Sequence, residues 1–166
     1  MKFKGYTLIE LLVVITISII IFGVGIAGYR EFSRRQALTG ILKQTKADLR
    51  LAQQLALTGQ KPTGVTCLKL IGYTFIRTSA SIYELRASCD NTVIVSSPII
   101  TNPVIKTIKM PVNTTISGSP VNTVTFKILG QGTDLSPVTS PLIFTIANTV
   151  AGTTGTVVVG TGGDVR

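Results

Sequence analysis

Histidine and tryptophan are absent from these 166 residues, and carboxylates number only seven. Without histidine the chain lacks the commonest general base and the commonest metal-ligating nitrogen. The seven acids are scattered singly, and none stands with Cys67 or Cys89 at the spacing of a metal site or a nucleophile–base pair. Residue content therefore predicts no catalytic constellation, no enzymatic activity, no metal and no cofactor. Aromatic residues make up 6% and do not alternate with basic ones, so no stacking platform for single-stranded nucleic acid is written here.

The shortage of acid leaves 16 Lys and Arg against 7 Asp and Glu, a net charge of +9. Such a surplus attracts nucleic acid, anionic lipid headgroups and acidic neighbours alike.

What the chain does have is a long apolar run. From Tyr6 to Tyr29 the only strongly polar side chain is Glu10, while Thr7, Thr16 and Ser18 can bond back to helix carbonyls. As helix these 24 residues reach about 36 Å, enough to cross a hydrocarbon core of about 30 Å. An acid inside such a segment costs roughly 2.5–3.5 kcal/mol, so Glu10 needs a reason to be there. An unrelated membrane anchor is one reading. A secretory signal peptide is another, with small residues at Gly25-Ile26-Ala27 before a cut at Gly28. The apolar run is longer than the usual signal core of about 7–15 residues, and Glu10 interrupts its start. Charge does not orient the segment, because Lys2 and Lys4 precede it while Arg30, Arg34 and Arg35 follow it.

The basic leader followed by Gly5-Tyr6-Thr7-Leu8-Ile9-Glu10 resembles the N-terminus of type IV pilins and pseudopilins. The resemblance implies a leader, residues 1–5, that stays cytoplasmic. It also implies cleavage by a prepilin peptidase between Gly5 and Tyr6, and N-methylation of Tyr6, where the family usually has phenylalanine. Losing Lys2 and Lys4 leaves 14 basic side chains against 7 acidic ones, or +7. A carboxylate in lipid seeks a cation, and the freed α-amine of a neighbouring subunit lies near the depth of Glu10. Pairing the two offsets their desolvation and sets the axial stagger of adjacent helices. The plainer alternative is that Glu10 snorkels to the interface and favours the helix N-terminal dipole. Gly23, Gly25 and Gly28 mark either local melting of the helix or a close helix–helix contact.

After Tyr29 the composition turns amphipathic without a break. Leu38, Ile41, Leu42, Thr45, Leu49, Ala52 and Ala56 recur at spacings of three and four and form one stripe of a helix. Gly59 and Pro62 end it. One helix over 6–58 is expected, with residues 6–29 in the membrane and 30–60 leading into a head at 61–166. Arg30, Arg34 and Arg35 stand where it leaves the membrane. Headgroups and subunit contacts are their expected partners there, with DNA the less favoured one.

From Gly64 onward the chain reads as an all-β domain, which makes the expected class α+β: a long helix packed on an antiparallel β-domain. Strands are expected at Val65–Leu70, Tyr73–Arg77, Ile82–Arg86, Val93–Val95, Val104–Met110, Val124–Leu129, Leu142–Ala147 and Thr156–Val159. Val124-Thr125-Phe126-Lys127-Ile128-Leu129-Gly130-Gln131-Gly132 is similar to the Phe-x-x-x-Gly-x-Gly turn of GspH/FimT-type minor pseudopilins. Strands over 142–148 and 156–159, then Gly162-Gly163-Asp164-Val165-Arg166, follow in that family's order. Some FimT-type proteins bind DNA through C-terminal arginines. Here only Arg166 matches, and Asp164 repels phosphate where another arginine would stand. Some pseudopilins carry calcium in the β-domain, which makes Thr133-Asp134 after a glycine turn a candidate for a cation, although a lone acid there is more simply a turn residue.

Cys67 and Cys89 lie on the side that would be exported. An even count in an oxidising setting favours a disulfide, tying the first expected strand to the end of the third, over two buried thiols. The expected protein is a minor pilin or pseudopilin, held once in the inner membrane with its head outside the cytoplasm. It would then assemble into a pilus or pseudopilus at the cell surface or in the periplasm. Its expected partners are other pilin or pseudopilin subunits, the prepilin peptidase, the membrane assembly platform and the bilayer. A major pilin, a DNA-uptake pilin and an unrelated single-pass protein are the alternatives.

Overall fold

The computed structural model describes residues 7–91, 100–137 and 139–166. The expected processing site at Gly5 and Tyr6 and the expected strand Val93–Val95 lie outside the described residues. A single helix, α1 (Leu8–Thr58), carries the apolar segment into the head without interruption. Gly59 takes the left-handed conformation at φ 60° and its N–H bonds the Ala56 carbonyl at 3.1 Å, which ends the helix as a glycine C-cap does. The stripe read from the spacing is the buried face: Leu38, Ile41, Thr45, Leu49, Ala52 and Ala56 are buried, and Leu42 is partly so.

The strands that follow are β1 (Lys69–Ser79), β2 (Ile82–Asp90), β3 (Ile100–Thr101), β4 (Val104–Lys109), β5 (Thr114–Ser119), β6 (Thr123–Lys127), β7 (Thr133–Asp134), β8 (Leu142–Asn148) and β9 (Thr153–Val159). They form two antiparallel sheets, one ordered β3–β2–β1–β6–β7 with β4 also on β2, the other β5–β8–β9. Side chains alternate cleanly along β2, where Tyr83, Leu85, Ala87 and Cys89 point inward. Phe75 joins the layers: its ring stacks on Tyr83 at 4.7 Å and meets Phe144 of the second sheet at 4.8 Å. Helix α1 packs across both sheets, touching β1 and β6 of the first and β8 and β9 of the second.

Several expected boundaries move. The separate strands Val65–Leu70 and Tyr73–Arg77 are one strand, β1, and Val65 to Cys67 precede it as coil. Gly72 marks a bulge and not a break. The pairing jumps from Leu70↔Cys89 to Gly72↔Ser88, which turns both Leu70 and Tyr73 inward although they are three apart. A Cβ on Gly72 would collide with the backbone carbonyl of Phe126, so glycine lets β6 lie close. The expected strand Val124–Leu129 stops at Lys127, where a 3-10 turn over Ile128–Gly130 with Leu129 at φ 54° takes over. β3, β5 and β7 correspond to none of the expected strands. β9 starts at Thr153, ahead of the expected Thr156, because pairing with β8 runs on to Asn148↔Thr153, and Gly155 leaves room there for Leu42 of the helix.

The disulfide is present: Cys67 and Cys89 are joined, with Cα atoms 5.3 Å apart. Its placement differs from the expected strand-to-strand tie. Cys67 sits in the coil before β1, and Cys89 lies in β2, the hairpin partner of β1, so the bond pins the lead-in of the hairpin to its far end.

Candidate functional site

The helix start holds the one acid of the apolar segment. Thr7 is the N-cap, with an extended backbone, and its hydroxyl oxygen accepts from the Glu10 N–H at 3.3 Å. Glu10 Oε2 in turn accepts from the Thr7 N–H at 2.8 Å and from the Thr7 hydroxyl at 2.9 Å. This is a capping box, in which two otherwise orphaned backbone donors are satisfied reciprocally. Sequence reasoning weighed Glu10 between a neighbour's amine and the interface and missed its own neighbour. The Thr-x-x-Glu spacing was the available signal. In the single chain the carboxylate is thus held at the helix N-terminal end.

Every large apolar side chain from Leu8 to Phe22 is exposed, Leu8 at 83% and Phe22 at 71%. Helix α1 is long and apolar enough to cross a membrane, and none of its most apolar window is buried against the rest of the chain. The helix is unbroken at Gly23, Gly25 and Gly28, and open space surrounds the positions where Gly23 and Gly28 would carry a Cβ. The single chain therefore does not melt there, and Gly23 and Gly28 offer bare backbone to whatever packs beside them.

Arg30, Arg34 and Arg35 stand together at the end of the apolar run. Arg35 Nε bonds Glu31 Oε1 at 2.9 Å, one turn back. Arg166 does not join them. The C-terminal residues fold back on β9, with Arg166 N–H on the Val158 carbonyl at 3.0 Å, Val165 buried, and Arg50 reaching the Val165 carbonyl at 3.4 Å. From Arg35 to Arg50 the helix rises about 22 Å, so Arg166 belongs to a different level of the molecule. Asp164 takes the Arg166 guanidinium at 2.7 Å, which occupies the only arginine of the tail. Asp134 behaves as a turn residue: its Oδ1 accepts from the Ser136 N–H at 3.0 Å and its Oδ2 lies 3.6 Å from Lys127 Nζ. Among the described residues no three His, Cys, Asp or Glu side chains come together.

A second polar site was missed. Asp48, read in sequence only as a counter-charge to a basic helix, is buried between helix and sheet. It accepts from the Tyr83 hydroxyl at 2.8 Å and pairs with Lys106 Nζ at 2.7 Å. Burial, helped by the bond to Asp48, pushes the Tyr83 phenol well above the ordinary tyrosine range. The signal was its place beside Leu49 on the inward stripe, where an unpaired acid would be costly.

Neither the curated proteins nor the solved structures include a match to this chain. Residues 1–28 match the family model of the prokaryotic N-terminal methylation motif. That match, together with an exposed apolar helix that continues beneath an antiparallel β head, supports a type IV pilin-type protein that is processed by prepilin peptidase and anchored through α1.

Proposed function

We propose that the chain is a minor pilin or pseudopilin subunit of the GspH/FimT kind, a structural component and not an enzyme. The observation that carries this is the pairing of the methylation motif at 1–28 with a wholly exposed apolar helix whose second half is the spine of a β head. Cleavage after Gly5 frees the amine of Tyr6. The subunit waits in the inner membrane with its head outside the cytoplasm. On assembly Glu10 exchanges its local bonds with Thr7 for the amine of a neighbouring subunit and so sets the stagger. The finer assignment is supported by the Phe126-x-x-x-Gly130-x-Gly132 turn. Gly130 and Gly132, with Gly162 and Gly163, line a small cavity closed by Gln53 and Leu57 of the helix, so both glycine motifs meet the same end of the stalk. A DNA-uptake role is less supported, because Arg166 is taken by Asp164.

Mass spectrometry of the mature protein tests the proposal. Loss of residues 1–5 and one methyl group on Tyr6 are expected, and an intact Met1 terminus would overturn it.

A further inference from the structure

Arg35, Thr39, Lys43, Lys46 and Arg50 recur along α1 at spacings of four, four, three and four. At about 100° per residue they share one side of the helix, turned roughly a third of a circle from the buried stripe. Arg35 is neutralised by Glu31, but Lys43 and Lys46 have no hydrogen-bond or ion-pair partner among the described residues, and Arg50 makes only its 3.4 Å bond to Val165. The upper part of this side is therefore a line of three cations with no counter-charge of its own.

We propose that Lys43, Lys46 and Arg50 dock on an acidic helix of a different subunit in the same filament; this rests on the pilin-type role above. Lipid does not fit as the partner. The headgroup layer is about 5–7 Å deep on each face of a bilayer, whereas Lys43 lies about 21 Å along the helix beyond Tyr29. Arg30 and Arg34 are within reach of phosphates, and the three upper cations are not.

A second copy of this chain is the poorer partner. Its carboxylates beyond the apolar segment are already committed: Glu31 to Arg35 at 2.9 Å, Asp48 to Lys106 at 2.7 Å, Glu84 to Arg86 at 2.6 Å, Asp134 to Lys127 at 3.6 Å and Asp164 to Arg166 at 2.7 Å. Asp90 is engaged as well. A like copy would meet the stripe with its own cations or with pairs that must first be broken. The stripe lies on the same unbroken helix as the exposed apolar residues Leu8 to Phe22. A helix that packs along those residues is carried up to the stripe, which favours a parallel neighbouring subunit over a polyanion bound from solution.

Zero-length carbodiimide coupling of wild-type filaments, purified from the native host, joins a lysine only to a carboxylate in contact with it. Peptides holding Lys43 or Lys46 should be found linked to Asp or Glu of a different polypeptide. Links only to another copy of this chain, or none at all, would overturn the proposal. The triple variant Lys43→Glu, Lys46→Glu, Arg50→Glu should still be cleaved after Gly5 and form its disulfide, yet enter filaments at least tenfold less. The conservative Lys43→Arg, Lys46→Arg, Arg50→Lys should enter normally and shows that the head folds. Equal incorporation of the charge-reversed chain would also overturn the proposal, as would unchanged incorporation with loss of DNA retained on the filaments, which assigns the stripe to nucleic acid. Absence of wild-type chain from filaments, or failure of cleavage, strikes instead at the pilin-type role itself.

Discussion

Tyr83 of β2 donates its hydroxyl hydrogen to Asp48 of α1 at 2.8 Å, across the boundary between helix and sheet. The same carboxylate holds Lys106 of β4 at 2.7 Å, so one buried acid ties the stalk to two strands. Apolar contact along the stripe is non-directional and tolerates sliding of the helix. A buried acid with two directional partners does not, because any other register leaves a charge unpaired.

Asp48→Ala is expected to cost about 2 kcal/mol, tempered by Lys106 being partly able to rehydrate, and Tyr83→Phe about 1 kcal/mol. Urea unfolding of the full chain in detergent, followed by tyrosine fluorescence, measures both. A neutral Asp48→Ala would remove the anchoring role.

Alkaline pH should weaken the fold through Tyr83. Its folded pKa is raised above the ordinary 10.0, so its contribution is complete below that value. As pH climbs past it, the unfolded phenol ionises while the folded one does not, and stability falls by up to about 1.4 kcal/mol per pH unit until the folded pKa is passed. Tyr83→Phe should flatten this limb, leaving only the contribution of Tyr73, whose pKa is also raised by burial. Identical pH profiles for wild type and Tyr83→Phe would contradict the assignment.

Removing the disulfide releases a loop between residues 22 apart in sequence. The chain-entropy model puts the loss at about 3 kcal/mol for Cys67→Ala with Cys89→Ala. The denaturation midpoint under oxidising conditions checks this, and reduction of the wild type should reproduce most of the shift.

Gly72→Ala should be costlier than an alanine elsewhere in a strand. The added Cβ meets the Phe126 backbone carbonyl, which cannot swing aside, so a loss of about 1–3 kcal/mol is expected. Hydrogen exchange should show the β1–β6 amides opening first, and an unchanged pattern would mean that the two strands have slack.

Glu10→Leu and Thr7→Val separate capping from assembly. Thr7→Val keeps the carboxylate and weakens the cap by about 1 kcal/mol, so it should be cleaved and assembled. Glu10→Leu should be cleaved after Gly5 but absent from filaments on immunoblotting. Wild-type assembly of Glu10→Leu would reduce the carboxylate to a helix cap.

Local signals were legible where their cause is local. The apolar run, the spacing of Leu38 to Ala56 and the stop at Gly59 each depend on residues within a turn or two, and the helix follows them. The capping box was equally local, written as Thr7-x-x-Glu10. The strands were harder. Gly72 looks like a turn from inside its own segment and becomes a bulge only because Cys89 and Ser88 pair across it and Phe126 presses on it. β5, with Ile116 as its one buried large apolar side chain, acquires its identity from β8, which pairs Thr114 with Asn148 and Ser119 with Ile143.

By itself the sequence determined the class of protein: a motif-bearing apolar helix, an amphipathic continuation, a β head and no histidine with which to build common catalytic sites. Periodicity and residue content are sums over neighbours, and no partner is needed to read them. The tertiary structure alone decided that the strands split into two sheets, that Asp48 faces Tyr83 and Lys106, and that Arg50 of the helix reaches the Val165 carbonyl of the tail. Those outcomes depend on which distant segments meet. Asp48 looks like a surface charge until strands 35 and 58 residues away supply its partners.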